Sequence, residues 1–388
     1  MIEDARSDAR RFDALTFLSE LIAVPSCDPP GGELAVAELV YRCLQQLGIE
    51  ATLDEFAPGR ANVIGRLPGQ GPKPALVLSA HLDTVPVGDQ PWDFEPFAGD
   101  IEAGRMRGRG SADMKSAIAA FIAAVAEIKR RRVPLNGDVI LAFTAGESAN
   151  CLGAKHLVAQ GFQSKIGAFL CGEPSSLDII VAEKAVLWLE AVAQGQMGHV
   201  SGAAGSNAID LMITFLSKLK ALDLVVPAHP LLTGPSINVG RIHGGAAVNV
   251  TPDSCTAELD IRFTPGIDYH DVMAQVQAIT PADIDLRLID FKPAVTQSPK
   301  SDFIQTCRRA VERTTGNSPQ IKGVSYYTDG AVLLQGLDVP FAILGPGDLG
   351  ASGQPNETVS IQFIQQIIDI YVEIIEKWNY DSIATNPI

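Results

Sequence analysis

Three stretches of this sequence each carry an apolar run into a histidine or an acid. Leu76–Pro86 (LVLSAHLDTVP) takes Leu76, Val77, Leu78 and Ala80 into His81 and Asp83, the pattern of a buried strand that ends in chemistry. Asp138–Thr144 (DVILAFT) leads to Glu147, and Ala168–Cys171 leads to Gly172-Glu173-Pro174. Ligands bind at the carboxyl ends of strands in open α/β sheets, so these groups are expected to converge. A His and an Asp two residues apart at a strand end lie on the same side, where the imidazole can take a metal and the carboxylate can orient it. Taken singly, each residue has a plainer reading: His81 as a turn histidine, and Asp113, after the Gly-rich GRMRGRGSADMKS, as a helix cap.

Positioning such groups requires a sheet with helices around it. Leu15–Val24 reads as an amphipathic helix ended by Pro25, Ser26–Gly32 (SCDPPGG) as a turn-rich break, and Glu33 to about Leu47 as a second helix. A strand and turn (51–56, then 62–67) precede the strand that delivers His81. An Ala-rich helix is expected from Asp113 to Ile128. From about Val181 the pattern changes: alternation at Leu187, Leu189, Ala191 and Ala193, a helix over 207–222 and strands over 237–242 and 255–263 predict an antiparallel sheet with helices on one face. Beyond Phe291 the first pattern returns, with a helix over 303–314, a buried strand over 339–344 and a C-terminal amphipathic helix over 361–377. The expected fold class is α/β: a large catalytic domain (residues 1–180 and 292–388) with a mostly parallel sheet covered by helices, interrupted by an inserted α+β domain (181–291).

Composition excludes partners more than it names them. The 388 residues carry 45 Asp and Glu against 30 Lys and Arg, a formal charge of −15, which repels nucleic acid and anionic membrane surfaces. The six cysteines are scattered without a C-x-x-C pair, which argues for reduced thiols rather than a disulfide framework or structural zinc knuckle. The N-terminus lacks an apolar signal core, and the longest apolar stretch, 116–128, is too short and Ala-rich to span a bilayer. A cytoplasmic protein is expected.

His81 with Asp83, Gly110-Ser111-Ala112-Asp113-Met114-Lys115, Gly146-Glu147, Gly172-Glu173-Pro174-Ser175, Gly198-His199 and Asp260-Ile261-Arg262 occur in the order of the M20 metallopeptidase family. The chain resembles its acetylornithine deacetylase and succinyl-diaminopimelate desuccinylase branch from about Ser26 to Glu357. The resemblance implies that His81, Asp113 and Glu173 bind a divalent metal, normally zinc or cobalt, with manganese a further candidate, and that Asp83 steers His81. It implies that Glu147 is the general base toward the attacking water. It also makes the insert a lid and dimerisation domain, with His199 stabilising the oxyanion in a partner's site of a homodimer. Imidazole and carboxylate ligands around an ion that acidifies water and polarises a carbonyl suit amide hydrolysis, and no G-x-S-x-G nucleophile elbow appears.

Two positions depart from the family together. A second Glu is expected after the base, where this chain has Ser148, and a His is expected in the segment GPGDLGASGQPNE, where Gly353 falls. Both belong to the second metal of two-ion members, so one ion per subunit is expected unless Asp348 or His156 substitutes. Arg262 is a candidate for a substrate carboxylate or for a salt bridge. Asn249 resembles the segment that closes over substrate, and Asp329 falls on the pocket lining, though an Asx turn before Gly330 also explains it. Lys115, Arg105, Arg107 and Arg109 read as solvated charges. The expected function is hydrolysis of the amide bond of a small N-acylated, carboxylate-bearing compound. Hydrolysis of an unusual C–N bond, carbamoyl or amino, and a non-catalytic binding relative remain the alternatives.

Overall fold

The computed structural model describes residues 11–199, 201 and 205–380. It divides into two compact units: residues 11–181, 297–322 and 328–380, and the segment 182–296 with a short return at 323–327.

The first unit is built on one large sheet. Its centre is four parallel strands in the order Gly137–Thr144, Lys73–His81, Ile166–Cys171 and Phe341–Ile343. Antiparallel strands extend both flanks: the hairpin Glu50–Ala57 and Arg60–Leu67 on one side, Ile179–Glu183 on the other. The parallel part is the one expected from the three apolar runs, which are buried almost without interruption. Burial on both faces explains why those runs do not alternate.

The helix Ser116–Arg130 is apolar nearly all round because it is enclosed, packing against the C-terminal helix Ile361–Tyr380 and the first helix Ala14–Ala23. Small residues (Ala117, Ala119, Ala120, Ala123, Ala124) let it approach closely, and Phe121 stacks on Tyr371 at 4.3 Å between ring centroids. The Tyr371 hydroxyl donates to the carbonyl of Leu344 at 2.6 Å, which ties that helix to the end of a central strand. Asp13 caps the first helix by accepting from the amides of Leu15 and Thr16, as the residue type at that position favours.

The helix expected from Asp113 begins three residues later. Asp113 and Met114 have non-helical backbone angles (φ −125°, ψ 94° and φ −138°, ψ 32°), within the turn Ser111–Lys115 that precedes the helix. Asp113 therefore does not cap it, and its carboxylate is available for another task.

In the second unit, Ser236–Gly244, Ser254–Phe263, Ala185–Gln194 and Ile284–Lys292 form an antiparallel sheet in that order. Helices Ala208–Lys220 and Tyr269–Ile279 pack on the face formed by Leu187, Leu189, Leu259 and Ile261. Asn207 caps the first of these helices. The second helix and the strand Ile284–Lys292 have no counterpart in the sequence reading. No helix among the described residues is long and apolar enough to cross a membrane, and all six cysteines are free.

The Tyr371 hydrogen bond gives a direct test of how the C-terminal helix is held. Tyr371→Phe leaves the Leu344 carbonyl short of a donor in a dry site and is expected to cost about 1–2 kcal/mol. Urea unfolding should show a lower midpoint at an unchanged slope.

Candidate metal centre and catalytic site

The carboxyl ends of two central strands and the turn Ser111–Lys115 bring His81, Glu173 and Asp113 together. One ligand atom from each lies within 4.8 Å of the others, and the group is largely buried. His81 Nδ1 lies 2.9 Å from the main-chain carbonyl of Asp83, while Nε2 lies 3.0 Å from Asp113 Oδ1 and 3.4 Å from Glu173 Oε1. A proton on Nδ1 donated to that carbonyl leaves the Nε2 lone pair aimed at both carboxylates, the orientation a metal-binding imidazole needs.

Local sequence explains how each group is delivered. Gly110, in the left-handed region (φ 84°), opens the turn that presents Asp113. A Cβ at Gly345 would lie 2.0 Å from the Gly172 carbonyl, so only glycine lets the 345–347 turn seat the segment that carries Glu173. Glu147 follows the strand Gly137–Thr144. Its amide and that of Ser148 each donate to the Asp83 carboxylate at 3.0 Å. The steering of His81 thus comes from the Asp83 carbonyl, whereas the carboxylate, 3.8 Å from Nδ1, holds the loop of the candidate base.

The electrostatics are those of crowded acids in a dry place. Burial alone would lower the His81 pKa, but the neighbouring Asp83, Glu173 and Asp113 carboxylates raise it well above the ordinary value. Burial, then Asp113, pushes Glu173 up to about 7. Burial raises Glu147 well above the usual carboxyl range against the opposing pull of His81, with Glu173, Asp329 and Asp83 adding to the rise. Asp113 goes the other way: burial opposes it, but His81 and the Ser352 hydroxyl hold it low. In the absence of a cation, protons on His81 and Glu173 neutralise the cluster.

One imidazole and two carboxylates converging on a point suit a zinc-class ion with an open coordination position. Among the described residues this is the cluster that could hold an ion. His156 is paired with Asp54 at 2.9 Å and stacked on Phe56, and Asp348 is paired with Arg105, so neither supplies a further ligand. Ser148 carries no charge. Gly353 lies in the left-handed region (φ 74°) with nothing closer than Val85 to where a Cβ would be, and it is the neighbouring Ser352 whose hydroxyl reaches Asp113.

Asp329 is fully buried. Its carboxylate accepts from the Thr144 hydroxyl, and it offers no side-chain bond to the helix start at Gly330, so the Asx-turn alternative does not hold. In the second unit, the short strand Gly198–His199 pairs with Val250–Thr251, which sets exposed His199 opposite Val250 and beside Asn249. His199 Nδ1 lies 2.7 Å from the Ser201 hydroxyl. Arg262 is engaged with Asp260 at 2.9 Å and with the Ser325 carbonyl at 2.8 Å.

The expectation of solvated charges around the Gly-rich loop is corrected for two residues. Lys115 is fully buried and donates to the carbonyls of Leu21 and Val24 at the end of the first helix. Burial pushes its pKa down to about 7. Arg109 is buried against Glu357 at 2.7 Å. Both partners lie far away in the chain, where local composition gives no sign of them.

Residues 77–377 match the family model described as Peptidase family M20/M25/M40. The chain belongs to the M20 peptidase family. As a member it is a metal-dependent hydrolase of amide bonds. It is 30% identical over 384 residues to an acetylornithine deacetylase from Vibrio cholerae, covering 95% of this chain and 97% of that one. An acetylornithine deacetylase from Aliivibrio fischeri is also 30% identical, over 389 residues, with 94% and 97% covered. The fold is that of an M20 family metallo-carboxypeptidase from Sulfolobus solfataricus (TM-score 0.80, 19% identity, 95% and 99% covered). It is also that of a dinuclear metal-binding M20 peptidase from Bacillus subtilis (TM-score 0.72, 16% identity, 94% and 97% covered).

Protons held on His81 and Glu173 by the crowded acids would compete with an ion at these candidate ligands. Affinity for Zn²⁺ or Co²⁺ is therefore expected to fall as pH drops through about 7, where Glu173 takes up its proton, and to keep rising above it while His81 still holds its own, by about tenfold per pH unit for each proton displaced. Calorimetry at pH 7 in two buffers of different ionisation enthalpy should register net proton release.

Proposed function

We propose that this M20 enzyme uses a single divalent ion, zinc most naturally with cobalt or manganese as alternatives, to hydrolyse the amide bond of a small N-acylated compound bearing a carboxylate. The observation that carries the reading is the His81, Asp113 and Glu173 cluster, with Asp83 beside it, which among the described residues is the group whose ligand atoms lie close enough to share an ion. An ion held there would supply Lewis acidity toward the substrate carbonyl and acidify water. The residues do the rest. Glu147, held by the Asp83 contacts and made basic by burial, takes a proton from the attacking water and passes it to the leaving nitrogen. His199 donates to the developing oxyanion, in a partner subunit's site by analogy with the family. Arg262, Asn249 and Asp329 are the candidates for substrate recognition.

The first unit then serves as the catalytic domain and the second as the lid and dimerisation domain. The strand Ser236–Gly244 supports a homodimer: it is an edge strand, and Ile242 on it is exposed. A cytoplasmic location fits the free cysteines. That the Vibrio and Aliivibrio relatives are acetylornithine deacetylases favours an N-acyl amino acid as substrate.

Metal analysis of chain purified without chelator is expected to give about one ion per subunit, lost in Glu173→Ala. Chelated protein should lose hydrolysis of N-acyl amino acids and regain it with Zn²⁺, Co²⁺ or Mn²⁺. Two ions per subunit would overturn the single-ion reading, and no hydrolysis of any amide, carbamoyl or amino substrate would favour the binding relative. Glu147→Gln is expected to keep its ion and lose about 10²–10⁴-fold in kcat. His199→Ala should lower kcat without changing metal content.

A further inference from the structure

The turn that presents Asp113 is not held by its own helix. Ser111 donates back to Gly108 and Lys115 to Gly110, but the amides of Ala112 and Asp113 both donate to one atom, Glu357 Oε1, at 2.8 and 3.0 Å. The other oxygen of Glu357 accepts from Arg109 Nη1 at 2.7 Å. Both side chains are 1% exposed. Arg109 reaches on to the carbonyls of Gln354 (3.1 Å), Pro86 (3.2 Å) and Gly353 (3.4 Å), and its guanidinium lies 5.0 Å from the Trp92 ring centroid. One guanidinium thus joins three segments around the cluster: the one after Asp83, the one before Asp113 and the one ending at Glu357. The strand Thr358–Ser360 pairs with Arg105–Arg107, and the Gly108 amide donates to the Glu357 carbonyl, so the backbone sets the two residues opposite each other.

We infer that Arg109 and Glu357 are positioning residues for the metal centre, acting through the backbone of Asp113 to hold its carboxylate at the distance from His81 that an ion requires. Glu357 serves as an acceptor on both of its oxygens. It stands between donors on both sides, two amides at Oε1 and a guanidinium at Oε2, so a glutamine in either orientation would turn its NH₂ toward one set of donors. Fixing both amides to a single oxygen removes the turn's freedom to rotate, and outer contacts of this kind typically tune metal affinity by about 10–100-fold. The inference rests on the reading of His81, Asp113 and Glu173 as ligands.

The test is Co²⁺ binding, followed by visible absorption and titration, with the unfolding midpoint of the metal-free full chain measured alongside. Glu357→Gln is expected to weaken Co²⁺ by about tenfold or more and to alter the ligand-field bands. Where that variant is poorly stable, the apolar pair Arg109→Met with Glu357→Leu removes both buried charges, a change that commonly spares or restores stability. It should recover the unfolding midpoint and still bind Co²⁺ weakly with altered bands. Wild-type affinity and bands in either folded variant would overturn the positioning role, since a purely structural pair would change the midpoint alone. Asp113→Asn separates the premise from the inference: unchanged Co²⁺ binding there would sink the ligand assignment itself.

Discussion

The constraint on which this structure depends is the cost of keeping carboxylates out of water. Asp83, Asp113, Glu147, Glu173, Asp329 and Glu357 crowd one end of a buried sheet, where an uncompensated anion is strongly disfavoured. The chain compensates them unequally. Asp83 receives two amides, and Glu357 receives two amides and a guanidinium. Asp113 and Glu173 have only His81, each other and a hydroxyl, so their charge is balanced by protons or by a cation. The compensated acids build the site, and the undercompensated ones are its candidate ligands.

That division also explains the pairing of burial with function in the loops. Glu147 is held by a carboxylate that is itself buried under it, so the base keeps its place while its proton affinity stays high. A general base works best when its pKa is drawn toward the working pH, and burial, with the neighbouring acids, supplies that rise. Asp329, bonded to Thr144 at the end of the strand that leads to Glu147, adds to the rise.

The sequence made His81, Glu147 and Glu173 legible because each one follows an apolar run, and strand ends are where period, burial and chemistry coincide. The central strands, the enclosing helices and the antiparallel sheet of the second unit followed from the same patterns. The supporting residues were not legible. Arg109 in a Gly-rich, Arg-rich stretch has the composition of a solvated loop, and its partner Glu357 lies 248 residues further on. Lys115 was hidden for the same reason, since its acceptors are the carbonyls of another helix. Taken alone, Asp113 reads as well as a helix cap, because capping favours the same residue type, and only the resemblance points to a ligand; the non-helical turn that frees it is held by Glu357, which no local pattern announces.

The same distinction bears on the number of ions. At the two departing positions, Ser148 is held through its amide by Asp83, and the 352–357 loop is held through its carbonyls by Arg109. A second dication beside the first would need anionic or imidazole donors to offset its own desolvation and its repulsion from the first ion, and neutral hydroxyls at Ser148 and Ser352 offer neither. With Asp113 already drawn to His81 and to Ser352, this balance is the physical support for the proposed single ion.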